Sequence, residues 1–151
     1  TGRRFTMVEP QMGGWGATAA RDGLDAMYSA SHGETFNCPV EICETRYGLD
    51  VGYRRLSESK AGKGLHSGGK GLEISYRLRA PAVMSVGYSR AKQPVWGSAG
   101  GEPGGVNGVS LRRPDGRREA LTFASGVSLS AGDEIVITTA NGGGWGAPAP
   151  Q

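Results

Sequence analysis

The residue types that could do chemistry concentrate in the stretch "NCPVEICE" over residues 37–44. Asn37 precedes the pair Cys38-Pro39, and a residue before proline favours extended or turn backbone. Glu41 and Glu44 lie three positions apart, so a helix would place both carboxylates on one face, where they could orient a ligand or a partner's metal ligand. The alternative is a helix start whose acidic side chains are stabilised by the helix dipole. The spacing alone favours this second interpretation.

The histidines offer little for a metal site. His32 and His66 are the only two in the chain, and one of them with Glu34, Glu41 or Glu44 would make only part of a metal site. Two separated imidazoles form a poor metal cage. The sequence therefore predicts ordinary surface or hydrogen-bonded histidines and no metal held by this chain.

The two cysteines, Cys38 and Cys43, lie five positions apart. They have no second pair with which to form a zinc site, and they do not resemble a disulfide framework. Neither cysteine has an adjacent base, and Ser67 beside His66 has no evident orienting carboxylate, so nucleophilic catalysis is not indicated. Reduced thiols in a cytoplasmic protein are the prediction.

The stretch "GLHSGGKG" over residues 64–71 matches a phosphate-binding P-loop up to Lys70. The match fails at Gly71, where a Ser or Thr should hold magnesium, and strand-like sequence follows where a helix should begin. A nucleotide loop is therefore not predicted. A glycine-rich basic turn remains, whose N–H groups could contact an anion.

Composition limits the fold that must position these residues. Gly supplies 27 of 151 residues and hydrophobic residues 37%, without a collagen-like period, so the chain can bury a modest core with much irregular backbone. Basic and acidic side chains number 4 and 7 in residues 1–50, 9 and 2 in residues 51–100, and 4 and 5 in residues 101–151. The basic middle third could face a phosphate or an acidic subunit, or be a solvated surface. It lacks a nucleic-acid module signature, and no apolar run approaches membrane-spanning length.

The pattern of residues predicts a β-rich chain. A short helix or extended segment is expected near Val40–Arg46, followed by a strand in which Leu49, Val51 and Tyr53 alternate. Two further strands are expected in "EISYRLRAPAVMSVGYSR", broken at Pro81.

Two hairpins are expected near the end of the chain. Asp115-Gly116 is a strong turn signal between strands at Val109–Arg112 and Glu119–Phe123. The second hairpin is expected in "VSLSAGDEIVITT", turning at residues 131–133 into a strand at Glu134–Thr139.

The pentapeptide "GGWGA" occurs twice, at residues 13–17 and 143–147. The surrounding sequences share nothing else, so the copies do not indicate a duplication. Each is predicted to be a tight turn whose glycines reach positive φ or let backbones approach closely, with Trp15 and Trp145 as apolar anchors.

Six segments, taken in order, resemble a known family: "GGWGATAARDG", "NCPVEICE", "AGKGLHSGGKGLE", "SVGYSR", "WGSAGGEPG" and "SAGDEIVITTANGGGWGAP". Their order and spacing resemble the C-terminal part of hydantoinase B/oxoprolinase (N-methylhydantoinase B) family subunits, which are related to acetone and acetophenone carboxylase subunits. The resemblance covers essentially the whole chain. It departs from the family's "DSGGAGKYRGG", because Lys60 stands in place of a glycine and Leu65-His66 in place of an aromatic-Arg pair.

This resemblance implies an ATP-dependent enzyme of several chains. Subunits of the B type are several times longer than this chain, and their N-terminal part carries the His/Asp-rich motifs associated with the metal or substrate site. The resemblance implies two partners, namely a hydantoinase A-type ATP-binding subunit and a chain with the N-terminal B-type region. ATP and a divalent metal would be held by those partners, and a cyclic amide would be opened or a ketone carboxylated.

Two interpretations of this chain's own part remain open. In the first, it shapes a shared active site, with supporting roles for His32, Asn37, Glu41, Glu44 and Arg90 and with the loop Gly13, Gly14, Trp15 and Gly16 forming a substrate pocket. In the second, it is a structural subunit that holds catalytic subunits together. For both, residues 1–151 are expected to form a single β-rich region within a larger multi-chain domain, with at most one or two short helices.

Overall fold

The computed structural model describes residues 4–28 and 36–148. Within these ranges, one short helix and seven strands follow each other. In order they are α1 (Val40–Arg46), β1 (Leu49–Leu56), β2 (Leu72–Leu78), β3 (Ala82–Gly87), β4 (Gly108–Arg112), β5 (Arg118–Leu121), β6 (Phe123–Leu129) and β7 (Glu134–Thr138). The β-rich fold class with one short helix is thereby confirmed. None of the helices in the described ranges is long and apolar enough to cross a membrane.

The strands form two antiparallel sheets. The main sheet has the order β1-β2-β7-β4-β5, and β3 pairs with β6 in a separate ribbon of two strands. Strand β2 is nearly all buried because it lies between β1 and β7. The predicted strands on either side of Pro81 are confirmed, but they belong to different sheets.

The hydrophobic core lies on one face of the main sheet. Cross-strand pairing places Tyr76 beside Ile135 and Ile135 beside Leu111, so their side chains share that face. The ribbon packs its inward side chains against them, and Cys43 of α1 is fully buried at the same core. The core side chains are Cys43, Leu72, Ile74, Tyr76, Leu78, Val109, Leu111, Leu129 and Ile135.

The two predicted hairpins differ in outcome. Strands β4 and β5 pair as expected around Asp115-Gly116, where Gly116 has φ +90°. The hairpin expected between β6 and β7 is wrong, because β6 pairs with β3 while β7 pairs with β2 and β4. The turn itself is present, with Gly132 at φ +88°. This turn connects β6 of the ribbon to β7 of the main sheet, and the Gly132 N–H binds the carbonyl of Leu78 at the end of β2.

Beside the sheets lies a second region, which is held together by hydrogen bonds between backbone atoms. We call it the glycine layer, and it comprises residues 13–17, 23–27, 62–71, 96–105 and 140–146. These segments run next to one another and join through backbone hydrogen bonds rather than through regular strands, apart from isolated bridges.

The two "GGWGA" copies meet within this layer. The Gly14 N–H binds the carbonyl of Ala140 at 2.9 Å, and the Ala17 N–H binds that of Gly143 at 2.9 Å. A Cβ on Gly142 would lie closer than 3.0 Å to the carbonyl oxygen of Trp15. The predicted close backbone approach is therefore confirmed. The prediction of two tight turns is wrong for the first copy, which contains neither a turn nor a bend, whereas the second copy bends at Gly146, where φ is +75°.

We expect the layer to tolerate no side chain at Gly142. Gly142→Ala forces the new Cβ into the Trp15 carbonyl, which is backbone and cannot swing away, so the cost should reach about 1–3 kcal/mol or more. Hydrogen exchange of peptides covering residues 140–146, measured in the natural full-length protein, should become faster.

The matched control is Gly108→Ala, because a Cβ there meets nothing within 4 Å. It should leave exchange in residues 140–146 unchanged. Equal protection in both variants would contradict the role assigned to the layer.

Candidate functional site

A buried carboxylate organises the region around the predicted site residues. The side chain of Glu9 is only 5% exposed and pairs with Arg54 at 2.9 Å. Its Oε1 also accepts hydrogen bonds from Asn37 Nδ2 at 3.1 Å and from the Cys38 N–H at 3.0 Å. Its Oε2 accepts one from the Tyr76 hydroxyl at 2.6 Å. We call Glu9, Asn37, Arg54 and Tyr76 the Glu9 cluster.

A β-bulge places Arg54 in this cluster. The register of β1 against β2 shifts between Val51 and Tyr53, so that Arg54 pairs with Ile74 and faces the core side of the sheet. The simple alternation expected for Leu49, Val51 and Tyr53 therefore breaks at Gly52. A glycine suits this position, because a Cβ there would lie 2.9 Å from the Ser75 hydroxyl.

The electrostatics of the cluster keep Glu9 ionised and Tyr76 protonated. Burial would raise the pKa of the Glu9 carboxyl, but hydrogen bonds from Tyr76, Arg54 and Asn37 and the charge of Arg54 lower it below its ordinary value. Burial, and then the hydrogen bond to Glu9, raises the pKa of the Tyr76 phenol. With its oxygens occupied by four donors, Glu9 is a poor proton acceptor. Its role is to clamp the segment after it onto β1, β2 and the Asn37 loop.

The clamped segment leads into a hollow of about 380 Å³, lined by Pro10, Gln11, Gly13, Gly14, Trp15, Met27 and Tyr28. We call it the Trp15 hollow. Asn37 reaches it indirectly, since its Nδ2 also donates to the Pro10 carbonyl at 3.3 Å. The Gln11 Oε1 atom is buried and has no hydrogen-bond partner among the described residues. Apolar walls with a few polar atoms are the usual composition of a small-molecule pocket.

A larger groove of about 550 Å³ lies between the main sheet and the β3–β6 ribbon. Its walls include core side chains such as Leu129 and Ile135, with Glu9 at its edge. The groove is therefore an incompletely filled part of the core, whereas the Trp15 hollow is lined by residues predicted for a pocket.

The structure brings only some of the predicted site residues together. Gly13, Gly14 and Trp15 line the hollow, but Gly16 does not. Asn37 is in the Glu9 cluster beside it. His32 and Glu34 lie outside the described residues.

The other predicted residues lie away from the hollow. The helix at Val40–Arg46 is confirmed, with Glu41 exposed and Glu44 turned toward the sheet, where it accepts a hydrogen bond from the Val51 N–H at 3.2 Å. Arg90 lies beyond β3, with its guanidinium 4.2 Å from the centre of the Trp96 ring. In the described part of the chain, no three His, Cys, Asp or Glu side chains gather as metal ligands.

The loop that resembles a P-loop binds other groups of the chain itself with its N–H groups. Those of Ser67 and Lys70 bind the carboxylates of Asp22 and Asp25 at 2.8 and 2.6 Å. The Gly69 N–H binds the Trp15 carbonyl, and the Gly71 N–H binds Asn141 Oδ1. The anions that this turn contacts are thus two carboxylates of the same chain, and because these N–H groups are already occupied, the loop does not fit the phosphates of ATP.

Both cysteines are free thiols. Burial, and then a hydrogen bond with Cys38, raises the pKa of the Cys43 thiol to about 12. A thiol with so high a pKa is a poor nucleophile at neutral pH.

Sequence reasoning missed Glu9, Arg54 and Tyr76. Glu9 is a single acidic residue in a stretch without periodicity, and its partners lie 45 and 67 positions away. The one available signal was that an arginine and a tyrosine stand within strand-like runs. Because a buried charge needs a partner, such an arginine indicates a carboxylate somewhere else in the chain.

We expect Glu9→Gln to destabilise the protein by about 3–5 kcal/mol, because the change leaves the largely buried Arg54 guanidinium without its countercharge. Chemical denaturation of the natural full-length protein measures the loss. Glu58→Gln is the control, because Glu58 is 71% exposed in its pair with Arg55 and such pairs contribute only about 0–1 kcal/mol. Equal losses in the two variants would contradict the cluster's role.

The contribution of Glu9 should also depend on pH. Because its pKa is lowered in the folded state, the stabilisation is fully present above the ordinary value of 4.5 and is lost as pH falls through the lower folded value. The stability difference between wild type and Glu9→Gln should therefore shrink in titrations below about pH 4.5. A difference that stays constant from pH 7 to the acid limit of folding would show that the pKa of Glu9 is the same in the folded and the unfolded protein, and would contradict the prediction.

Comparison with curated proteins finds enzymes much longer than this chain. The chain is 33% identical over 142 residues to 5-oxoprolinase 1 of Arabidopsis thaliana, covering 94% of this chain and 11% of that protein. It is 28% identical over 139 residues to the B-type subunit of a putative D-/L-hydantoinase of Pseudomonas sp., covering 90% of this chain and 23% of that one. The chain thus spans less than a quarter of the length of these two relatives.

Two solved structures share the fold. An ATP-dependent caprolactamase from Pseudomonas jessenii superposes with a TM-score of 0.70 at 23% identity, over 91% of this chain and 24% of that one. An acetone carboxylase in its nucleotide-free form gives a TM-score of 0.58 at 17% identity, over 91% and 22%.

The sequence profile of the Hydantoinase B/oxoprolinase family matches residues 1–148, nearly the whole chain. The resemblance in the six ordered segments is thereby confirmed, and the chain belongs to the Hydantoinase B/oxoprolinase family.

Proposed function

We propose that the chain is part of the B-type component of an ATP-dependent enzyme that opens a cyclic amide or carboxylates a ketone, and that it shapes a shared active site. The names of its relatives supply the reaction class: an oxoprolinase, a hydantoinase, a caprolactamase and an acetone carboxylase. The observation that carries the active-site role is the Trp15 hollow, whose wall contains Gly13, Gly14 and Trp15.

The hollow suits a small ring. Its volume of about 380 Å³ lies within the range of small-molecule pockets. Trp15 and Met27 offer apolar faces to a ring, and Tyr28, whose hydroxyl donates to the Pro10 carbonyl at 3.4 Å, also lines the hollow. Because the glycine layer fixes the backbone on which these side chains stand, the hollow is preformed rather than assembled on binding.

The remaining parts of the enzyme belong to other regions or chains under this proposal. A hydantoinase A-type subunit would hold ATP, and the region with the N-terminal B-type motifs would hold a divalent metal. The C-terminal position of this chain within a B-type subunit stays a prediction, as does a cytoplasmic location.

A second candidate function is assembly alone. It is favoured by the apolar side chains that the surface leaves exposed, among them Phe36, Val83, Trp96 and Phe123. Apolar surface of this kind marks contacts with other protein. The two functions predict different results when the hollow is filled.

We expect Met27→Trp in the natural complex to lower ATP-dependent turnover about tenfold or more, because the larger side chain occupies the hollow and displaces the substrate. Turnover should be measured with oxoproline, hydantoin, caprolactam and acetone, and subunit composition by native mass spectrometry. Assembly should stay intact.

Leu24→Trp is the matched control, because Leu24 belongs to the same segment and is 39% exposed, against 42% for Met27, but does not line the hollow. It should leave turnover unchanged. Loss of subunits in Met27→Trp would favour the assembly function, and full activity in both variants would overturn the active-site role.

A further inference from the structure

Arg90 has a backbone conformation that its residue type does not favour. Its φ is +57°, in the left-handed region where a Cβ is crowded and glycine is the usual residue. Asn107 holds this turn by binding the backbone carbonyls of residues 89 and 90: its N–H donates to the Arg90 carbonyl at 3.0 Å, and its side-chain Nδ2 donates to the Ser89 carbonyl at 2.9 Å. A glycine would adopt the same turn without strain, so the turn itself does not require the arginine.

That side chain is stacked and otherwise free. The guanidinium lies 4.2 Å from the centre of the Trp96 ring, which is 64% exposed. Trp96 stands on rigid backbone, since the carbonyl of the preceding Val95 accepts from the Gly104 N–H at 2.7 Å and a Cβ on Gly143 would overlap the Trp96 carbonyl. Among the described residues, Arg90 forms no ion pair.

An arginine that is stacked on an aromatic ring is well suited to bind a carboxylate. The indole covers one face of the guanidinium and restrains its rotation, while the N–H groups at the edge of the plane remain available. That planar fork matches a carboxylate through two parallel hydrogen bonds. Tryptophan and arginine are also the residue types most often responsible for binding energy at protein interfaces.

We propose that Arg90 and Trp96 anchor an Asp or Glu side chain of the rest of the B-type subunit. The inference rests on the proposed function for the existence of that larger subunit, of which this chain matches about a quarter in the solved neighbours. Charge complementarity supports an acidic occupant, since residues 51–100 carry nine basic and two acidic side chains. Substrate is not the occupant, because neither Arg90 nor Trp96 lines the Trp15 hollow.

The first test compares the direction in which two glycine substitutions change the melting temperature. Arg90→Gly relieves the backbone strain but removes the guanidinium, so the melting temperature of the natural complex should fall. Ala99→Gly is the matched control, because Ala99 has φ +50° in the glycine layer without a functional side chain, and its melting temperature should be unchanged or higher. An increase for Arg90→Gly equal to that for Ala99→Gly would overturn the proposal.

The second test identifies the occupant directly. In Arg90→Lys, a water-soluble carbodiimide activates a neighbouring carboxylate, and the introduced amine displaces the activating group to form an amide. Mass spectrometry should find a new crosslink, absent from wild type, to an Asp or Glu of the B-type subunit outside this chain. Arg117→Lys is the positive control, because Arg117 pairs with Asp115 at 2.7 Å and should crosslink within the chain.

Each result decides the proposal. No new crosslink at position 90 while the position 117 control succeeds, or a crosslink to the A-type subunit, would overturn it. The crosslink requires neither substrate nor turnover, so its failure is distinguishable from failure of the active-site role, which the Met27→Trp result tests separately.

Discussion

The close approach of backbones in the glycine layer is the constraint on which the rest of the structure depends. Glycine loses more conformational entropy on folding than any other residue, so a chain with 27 of them needs a compensating use. The glycines let segments that are far apart in sequence pair very closely. A Cβ on Gly14 would overlap the carbonyl of Gly69, and a Cβ on Gly142 would overlap that of Trp15. The hydrogen bonds gained satisfy backbone groups that are buried without a regular sheet.

The glycine layer is continuous with the main sheet, because β7 leads directly into the segment at 140–146. Thr139 joins them: its hydroxyl accepts from the Leu72 N–H and donates to the Met12 carbonyl. Asn141, two residues later, makes similar bonds: its Oδ1 accepts from the Gly71 N–H, and its Nδ2 donates to the Ser59 carbonyl. The register of the sheet therefore fixes the layer, and with the Glu9 cluster it fixes where the segment lining the Trp15 hollow must run.

The sequence was sufficient for features that depend on neighbouring residues. Strand patterns and the Asp115-Gly116 turn followed from local periodicity and turn chemistry. At Val40–Arg46 the pattern allowed a short helix or an extended segment, and the structure has the helix. It was insufficient where the partner lies far away in the chain. Nothing in "SAGDE" distinguishes a turn within a hairpin from one that crosses between sheets, and nothing around Gly52 announces a bulge that redirects Arg54. The Glu9 cluster was missed for the same reason, since its four residues come from four separate segments that meet only in the folded chain.

The uneven distribution of charge along the chain takes on a different meaning once the segments are folded. The acidic first third and the basic middle third pair with each other, as Glu9 does with Arg54 and Asp50 with Arg79. Within the middle third, Arg55 pairs with Glu58 and Glu73. Three of the nine basic side chains in residues 51–100 thus pair with carboxylates in the part of the chain that the structure describes, and the other six stay outside this pairing. A guanidinium that stays outside this internal pairing, on strained backbone and against an exposed tryptophan, is for that reason more informative than the net charge of the segment that contains it.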